Sequence, residues 1–335
     1  MRVTMNDIAK KLNISVNTVS KALNGKSKIS EELRSKVIET ANKMGYVKNK
    51  HASSLAMAPF KIGVIICGYD KNYYKYTIEG LEKAFRSLID GNISYEISLF
   101  EIDDSVSSKV MDKLSWFEAE GFNGIIINDF HSPLLSDRIK CLREKGIEIV
   151  LLNYDLTGSN RSFSVTNNYS LSAYMAAELM AISLKHSENK NVILGTLSRK
   201  SFGQNELYKN FKEAAAKYGL HLCSVSDSVD DLIDSITPDI MGIYITHAKS
   251  IKICEKIEKL NRESGFTPTL IVSDLYDEMI PYIESSIITA TVYQDPVKQA
   301  YDAVIKLYNI LLGTEKKEDV IIKPKLLLKS SYTSI

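Results

Sequence analysis

The sequence predicts two fold classes in one chain: an all-α head of three short helices and, after a hinge, an α/β body of two parallel sheets flanked by helices. Three observations carry this. Residues 1–58 hold 11 Lys/Arg against 4 Asp/Glu, a net charge of +7, whereas the remainder carries −6. The same segment shows short helical periods separated by capping residues, with no strand pattern. From residue 61 onward, short apolar runs alternate with amphipathic stretches. At 335 residues, 44% hydrophobic and 25% charged, the chain suits two or three globular domains.

In the head, Thr4 followed by Asp7 reads as a capping pair that opens a helix through Lys11, with Ile8 and Leu12 on one face. Ser15 caps a second helix, Val16 to about Leu23, which Asn24-Gly25 ends. Ser30, with Glu31 and Glu32 in the first turn, starts a third. Its Leu33, Val37, Ala41 and Met44 recur at helical spacing before Gly45. Only a few residues, Asn13 and Ile14 among them, part the first two helices, which is a helix-turn-helix spacing. On the second helix Val19 and Leu23 point inward, while Asn17 and Lys21 share another face. An amide can pair with adenine and an ammonium with guanine. Lys26, Lys28 and the helix N-termini can hold phosphates. Basic surface alone would equally suit a plain three-helix bundle with solvated lysines.

In the body, strands are expected at 61–66, 94–100, 124–127, 147–152, 191–195, 220–225, 240–245, 268–273 and 286–292. Helical patterns fill gaps such as 74–88, 134–145, 170–185, 205–218, 250–261 and 296–312. About ten strands suit two five-stranded lobes. Open α/β sheets bind ligands at the carboxyl ends of their strands. The pocket candidates are therefore Tyr73, Tyr74, Asn128, Asn153, Tyr154, His247, Asp274 and Gln294. Carboxylates and amides pair with sugar hydroxyls, and aromatic rings cover sugar faces.

Several classes are excluded or disfavoured. No phosphate loop, G-x-S-x-G or HExxH is present, and five scattered histidines make no metal set, so neither an enzyme nor a metal or cofactor is expected. Cys67, Cys141, Cys223 and Cys254 are far apart and read as buried free thiols of a reducing compartment. The N-terminus lacks an apolar signal core and no apolar run reaches membrane length, so the expectation is a cytoplasmic protein with no membrane association.

Residues 3–49, VTMNDIAKKLNISVNTVSKALNGKSKISEELRSKVIETANKMGYVKN, resemble the head of the lac repressor (LacI/GalR-type) family. The shared pattern is Thr4, Asp7-Ile8-Ala9, the run Ile14 to Asn24 and Gly45-Tyr46. The resemblance implies base-reading positions at Val16, Asn17 and Lys21. It implies phosphate contacts or turn anchors at Thr4, Ser15, Thr18, Ser20, Asn24 and Lys28. It divides the chain into a head (1–48), a hinge (49–59) whose Leu55 wedges into the minor groove, and a two-lobed body (60–335). Lys48 departs from the Pro that many members carry there.

The body resembles the periplasmic sugar-binding-protein fold, most clearly at Asp274 and over 287–304. The implied lobes are about 61–155 with 291–318, and 156–290 with 319–335, with Asp274 and Gln294 at ligand positions. Asn167-Asn168, Ser172 and the run Leu207 to Phe211 depart from the family's usual residues and remove an arginine clamp. The implied partners are double-stranded operator DNA, a small carbohydrate effector and a second copy of the chain, with no C-terminal heptad segment to extend a homodimer to a tetramer. Two alternatives stay open: a repressor with a degenerate, ligand-independent sensor, and a cytoplasmic solute-binding protein.

Overall fold

The computed structural model describes residues 3, 5–23, 29–44, 59–68, 71–89, 91–128, 130, 132–196, 202–246 and 250–334, without the side chains of residues 71–73, 202, 250 and 334. The chain divides into two compact units, Met1–Met57 and Ala58–Ile335.

The first unit holds helices α1 (Met5–Leu12), α2 (Val16–Leu23) and α3 (Glu31–Lys43). Asn13 ends α1 with a left-handed φ of 50°. Around it the Ile14 N–H donates to the Ala9 carbonyl at 3.1 Å and the Asn13 N–H to the Lys10 carbonyl at 3.3 Å. This bond pair closes a helix on a left-handed residue, a conformation that Asn tolerates. Ser15 Oγ then accepts the Thr18 N–H at 3.0 Å, so the next helix is capped within two residues. Ser30 Oγ caps α3 by accepting the Leu33 N–H at 3.3 Å. Ile8, Ala9, Val19, Ala22, Val37 and Ala41 form the core, with Leu23 only partly buried at its edge.

The second unit contains two six-stranded sheets. In the first, β1 (Phe60–Gly68), β2 (Ile93–Glu101), β3 (Gly124–Asn128), β4 (Glu148–Leu152), β5 (Phe163–Asn167) and β11 (Val320–Ile322) lie in the order β11-β5-β4-β3-β1-β2. In the second, β6 (Asn191–Gly195), β7 (His221–Ser226), β8 (Gly242–Ile245), β9 (Thr269–Ser273), β10 (Ala290–Tyr293) and β12 (Lys325–Leu327) lie in the order β12-β10-β9-β8-β6-β7. Each sheet is parallel except that β12 runs antiparallel to β10. The two orders are one pattern used twice.

Helices α4 (Lys71–Ser87), α5 (Val106–Ala119) and α6 (Leu135–Glu144) follow strands of the first sheet. Helices α7 (Tyr169–Ser183), α8 (Phe202–Lys217), α9 (Val229–Asp234), α10 (Ser250–Ser264) and α11 (Ile280–Glu284) belong to the second, and α12 (Pro296–Leu311) returns to the first. Each lobe thus receives one helix from a chain that has just left the other. α7 follows β5 and packs on α8; α12 follows β10 and packs on α4. The chain crosses between lobes three times, as expected, but at other places. β5 and β11 lie in the first sheet and β10 in the second, so the crossings fall at Asn168, Gln294-Asp295 and Lys323-Pro324. The expected boundaries at 155, 291 and 318 are corrected accordingly. The strand count is corrected from about ten to twelve among the described residues, since β5, β11 and β12 are short and carry no long apolar run.

Apolar strand residues are buried on both faces of each sheet, as parallel strands under helices require. Cys67 and Cys254 are buried, but Cys141 and Cys223 are exposed, which corrects the expectation of four buried thiols. Among the described residues no helix is long and apolar enough to cross a membrane, and no cluster of side chains could hold a metal ion.

Candidate functional site

The head presents one polar face. α2 buries Val19 and Ala22, which leaves Asn17 exposed, Lys21 half-buried and Val16 41% exposed. An exposed valine beside an amide and an ammonium fits a surface that meets a duplex groove, where a thymine methyl offers apolar contact. Ser15 and Thr18 serve the turn: their hydroxyls are 2.8 Å apart, and Ser15 Oγ holds the helix start. Ser20 is half-buried on the same helix. Thr4, Asn24, Lys28 and Leu55 lie outside the described residues.

In the body, a cleft pocket of about 370 Å³, counting its open mouth, lies between the lobes. Tyr76 and Thr77 of α4 and Asn153 after β4 line it from the first lobe. Asp274, Leu275 and Tyr276 after β9 line it from the second, and Gln294, Pro296 and Gln299 come from the crossing into α12.

The repeat places Asn153 and Asp274 at equivalent points. Each follows the fourth strand of its lobe with a left-handed φ of 65°. Each donates its N–H to the fifth strand: Asn153 to the Val165 carbonyl at 2.8 Å and Asp274 to the Val292 carbonyl at 3.0 Å. Asn and Asp adopt this backbone at low cost, so a polar side chain stands at the end of each strand.

Asp274 Oδ1 accepts the Gln294 N–H at 3.0 Å, and Thr291 Oγ1 donates to the Asp274 carbonyl. The residue is half-buried and opens onto the pocket. Burial pushes its carboxyl up to about 7, against the single Gln294 hydrogen bond that favours the ion. Gln299 Nε2 donates to the Gln294 carbonyl at 2.9 Å, whereas its Oε1 is buried with no partner. Other buried oxygens without partners stand at strand carboxyl ends: Asn128 Oδ1 on β3, Asn167 Oδ1 on β5 and Thr196 Oγ1 after β6. Groups of this kind lose free energy unless something hydrogen-bonds them, and of these the Gln299 oxygen belongs to a residue that lines the pocket.

Of the sequence candidates, Asn153, Asp274 and Gln294 come together in this pocket. Asn128 is buried at the end of β3 and does not line it. Tyr74 and Tyr154 are corrected: both are core residues, 4% and 3% exposed, in the two apolar layers of the first lobe. The side chain of Tyr73 and the whole of His247 lie outside the described residues. Tyr76, Thr77 and Gln299 were missed. Helical periodicity carried the signal, because Tyr74, Ile78, Leu81 and Phe85 form one core-facing stripe and leave Tyr76 and Thr77 off it.

A helix-turn-helix head fused to a two-lobed body with a polar cleft defines a class: regulators that join a DNA-binding module to a sensor. The chain belongs to the periplasmic binding protein domain family, which it matches over residues 62–315, and residues 4–49 match the lacI family of bacterial regulatory proteins. Neither family is catalytic, in keeping with a non-enzymatic role. The chain is 28% identical to catabolite control protein A of Priestia megaterium over 223 residues, which cover 66% of this chain and 63% of that protein. It is 33% identical to the probable HTH-type transcriptional repressor ExuR of Bacillus subtilis over 159 residues, 46% of this chain and 44% of that one. The matches therefore span less than two thirds of those relatives. The glucose-galactose binding protein GanP of Geobacillus stearothermophilus shares the fold, with a TM-score of 0.71 at 20% identity, covering 82% of this chain and 99% of that chain.

Proposed function

We propose that the protein is a homodimeric, DNA-binding repressor whose operator affinity is set by a small carbohydrate bound between the two lobes. The observation that carries the reading is the convergence of Asn153 and Asp274, from equivalent points of two repeated lobes, on one pocket with the unpartnered Gln299 oxygen. A ligand there touches both lobes and so stabilises one arrangement of them over another.

Val16, Asn17 and Lys21 read bases; Thr4, Ser15, Thr18, Ser20, Asn24 and Lys28 hold phosphates or the turn; Leu55 enters the minor groove. Asn153, Asp274 and Gln294 hold sugar hydroxyls, with Tyr76 and Gln299 added by the pocket. Dimerisation is supported by the edge strand β2, which leaves Tyr95 48% and Leu99 47% exposed. The repressor named among the relatives and the sugar binder among the fold neighbours support the same reading.

The test is selection of duplexes from a random-sequence pool by the full chain. We expect enrichment of a near-palindrome with half-sites about one helical turn apart, abolished by Asn17→Ala with Lys21→Ala. A pool that stays random with wild-type protein contradicts the reading.

A further inference from the structure

Among the contacts between the lobes, one joins two side chains of the first lobe to a single carboxylate of the second. Asp277, three residues beyond Asp274, opens a short 3-10 turn of the second lobe. Its Oδ2 takes the Lys75 ammonium at 2.5 Å and its Oδ1 accepts the Tyr76 hydroxyl at 2.9 Å, both groups coming from α4 of the first lobe. The Tyr76 ring packs against the apolar core of the second lobe, so the residue crosses the cleft rather than merely facing it. Tyr76 and Leu275 also line both the cleft pocket and a larger groove of about 380 Å³, which makes them the partition between the two.

We propose that Asp277 is a latch: its two oxygens clamp neighbouring residues of α4 and bias the lobes toward the closed arrangement before any effector arrives. Tyr76 carries the state of the latch into the pocket wall, because its hydroxyl is held by Asp277 while its ring forms the partition. Burial, and then the hydrogen bond to Asp277, pushes that hydroxyl up to about 12, so it remains a donor across the physiological range. The ligand then supplies only the part of the closing free energy that the latch does not, and the affinity of the pocket depends on a contact outside it. The regulatory meaning rests on the effector reading above. The latch itself does not, since it acts without ligand.

The chain provides its own reporters. Cys141 on α6 and Cys223 on β7 are exposed, one in each lobe, while Cys67 and Cys254 are buried. Spin labels on the two exposed thiols of the full-length, ligand-free protein, diluted with unlabelled protein, give the interlobe distance distribution by pulsed electron resonance. We expect one dominant short distance in the wild type. Asp277→Ala should lower the closed-to-open ratio by about two- to fivefold, the effect of a partly exposed ion pair. Lys75→Met, a change at an exposed site that leaves the fold untouched, should act in the same direction. The double variant should add little to Asp277→Ala alone, as expected of groups that act as one unit. Tyr76→Phe should keep the partition and shift the ratio by less. A distribution in Asp277→Ala and Lys75→Met that superposes on the wild type overturns the latch and leaves the effector reading standing. A latch that behaves as expected in a protein that answers to no sugar would sink the effector reading instead.

Discussion

The two lobes share a strand order, a pair of swapped helices and a left-handed polar residue after the fourth strand, yet they manage charge in opposite ways. The first lobe pairs its half-buried charges. Glu148 accepts from Arg143 at 2.6 Å, Ser162 at 2.6 Å and Lys317 at 2.8 Å, and Arg161 joins Asp155 to Asp319 with contacts of 2.7 and 2.8 Å among them. The second lobe leaves its cleft carboxylate, Asp274, with one backbone hydrogen bond. At the equivalent point the first lobe has a neutral amide, Asn153. A repeated backbone therefore carries a paired charge cluster in one lobe and, in the other, a carboxylate at the cleft with a single hydrogen bond.

The sharpest way to break that contrast is pH. Asp274 has its carboxyl raised from 3.8 to about 7, so the folded state holds a proton there that the unfolded chain has released. Its contribution is full below the unfolded value and is lost as pH rises from about 4 to about 7. That amounts to at most about 4 kcal/mol, reduced by whatever water the pocket admits. Glu148 and Asp155 run the other way. Burial raises each, but hydrogen bonds and charge from Lys317, Ser162 and Arg143 for Glu148, and from Arg161 for Asp155, outweigh it and lower both. Their contribution is present above the unfolded values and is lost as pH falls through the lowered ones. Urea titrations at a series of pH values should show stability falling between pH 4 and 7 in the wild type, and Asp274→Asn should flatten that limb alone.

Arg161→Ala should come next, at about 3 kcal/mol, because it leaves Asp155 and Asp319 facing each other without their cation. Its melting temperature should fall at neutral pH and recover in part at pH 4, where the carboxylates begin to protonate. An equal loss at both pH values would remove the electrostatic account of this cluster. A smaller effect separates the swapped helices. A methyl on Gly80 would lie 2.2 Å from the Val297 carbonyl of α12, a backbone atom, whereas one on Gly203 of α8 meets the Tyr169 ring. Gly80→Ala should cost about 2 kcal/mol. Gly203→Ala should stay within about 1 kcal/mol, because a ring can move and alanine favours the helix. In the head, Ser15→Ala should cost about 1 kcal/mol through the lost cap on α2 and weaken DNA binding with it.

The head was legible almost residue by residue, since caps and turns are local: Ser15, Asn13 and Ser30 act within three residues of themselves. The body was legible where strands form continuous apolar runs, such as 62–67 and 149–152. It was not legible at β5, β11 and β12. Those strands are five, three and three residues long and owe their place to partners far away in sequence, as in the pairing of Val320 with Val165. The lobe boundaries were misread for that reason. In the site, Asp274 and Gln294 were found because they follow strands. Tyr74 was misplaced because its neighbour two positions on, Tyr76, faces the cleft in its stead.

The central claim is that the cleft binds a small polar molecule, and thermal unfolding of the full chain against mono- and disaccharides, sugar phosphates, hexuronates and nucleobases tests it most directly. The account predicts that one compound raises the stability by about 2.7 kcal/mol at a hundred times its Kd, and that Asp274→Asn removes most of that gain. A panel without a shift, or a shift that Asp274→Asn and Gln299→Ala both leave intact, would contradict it.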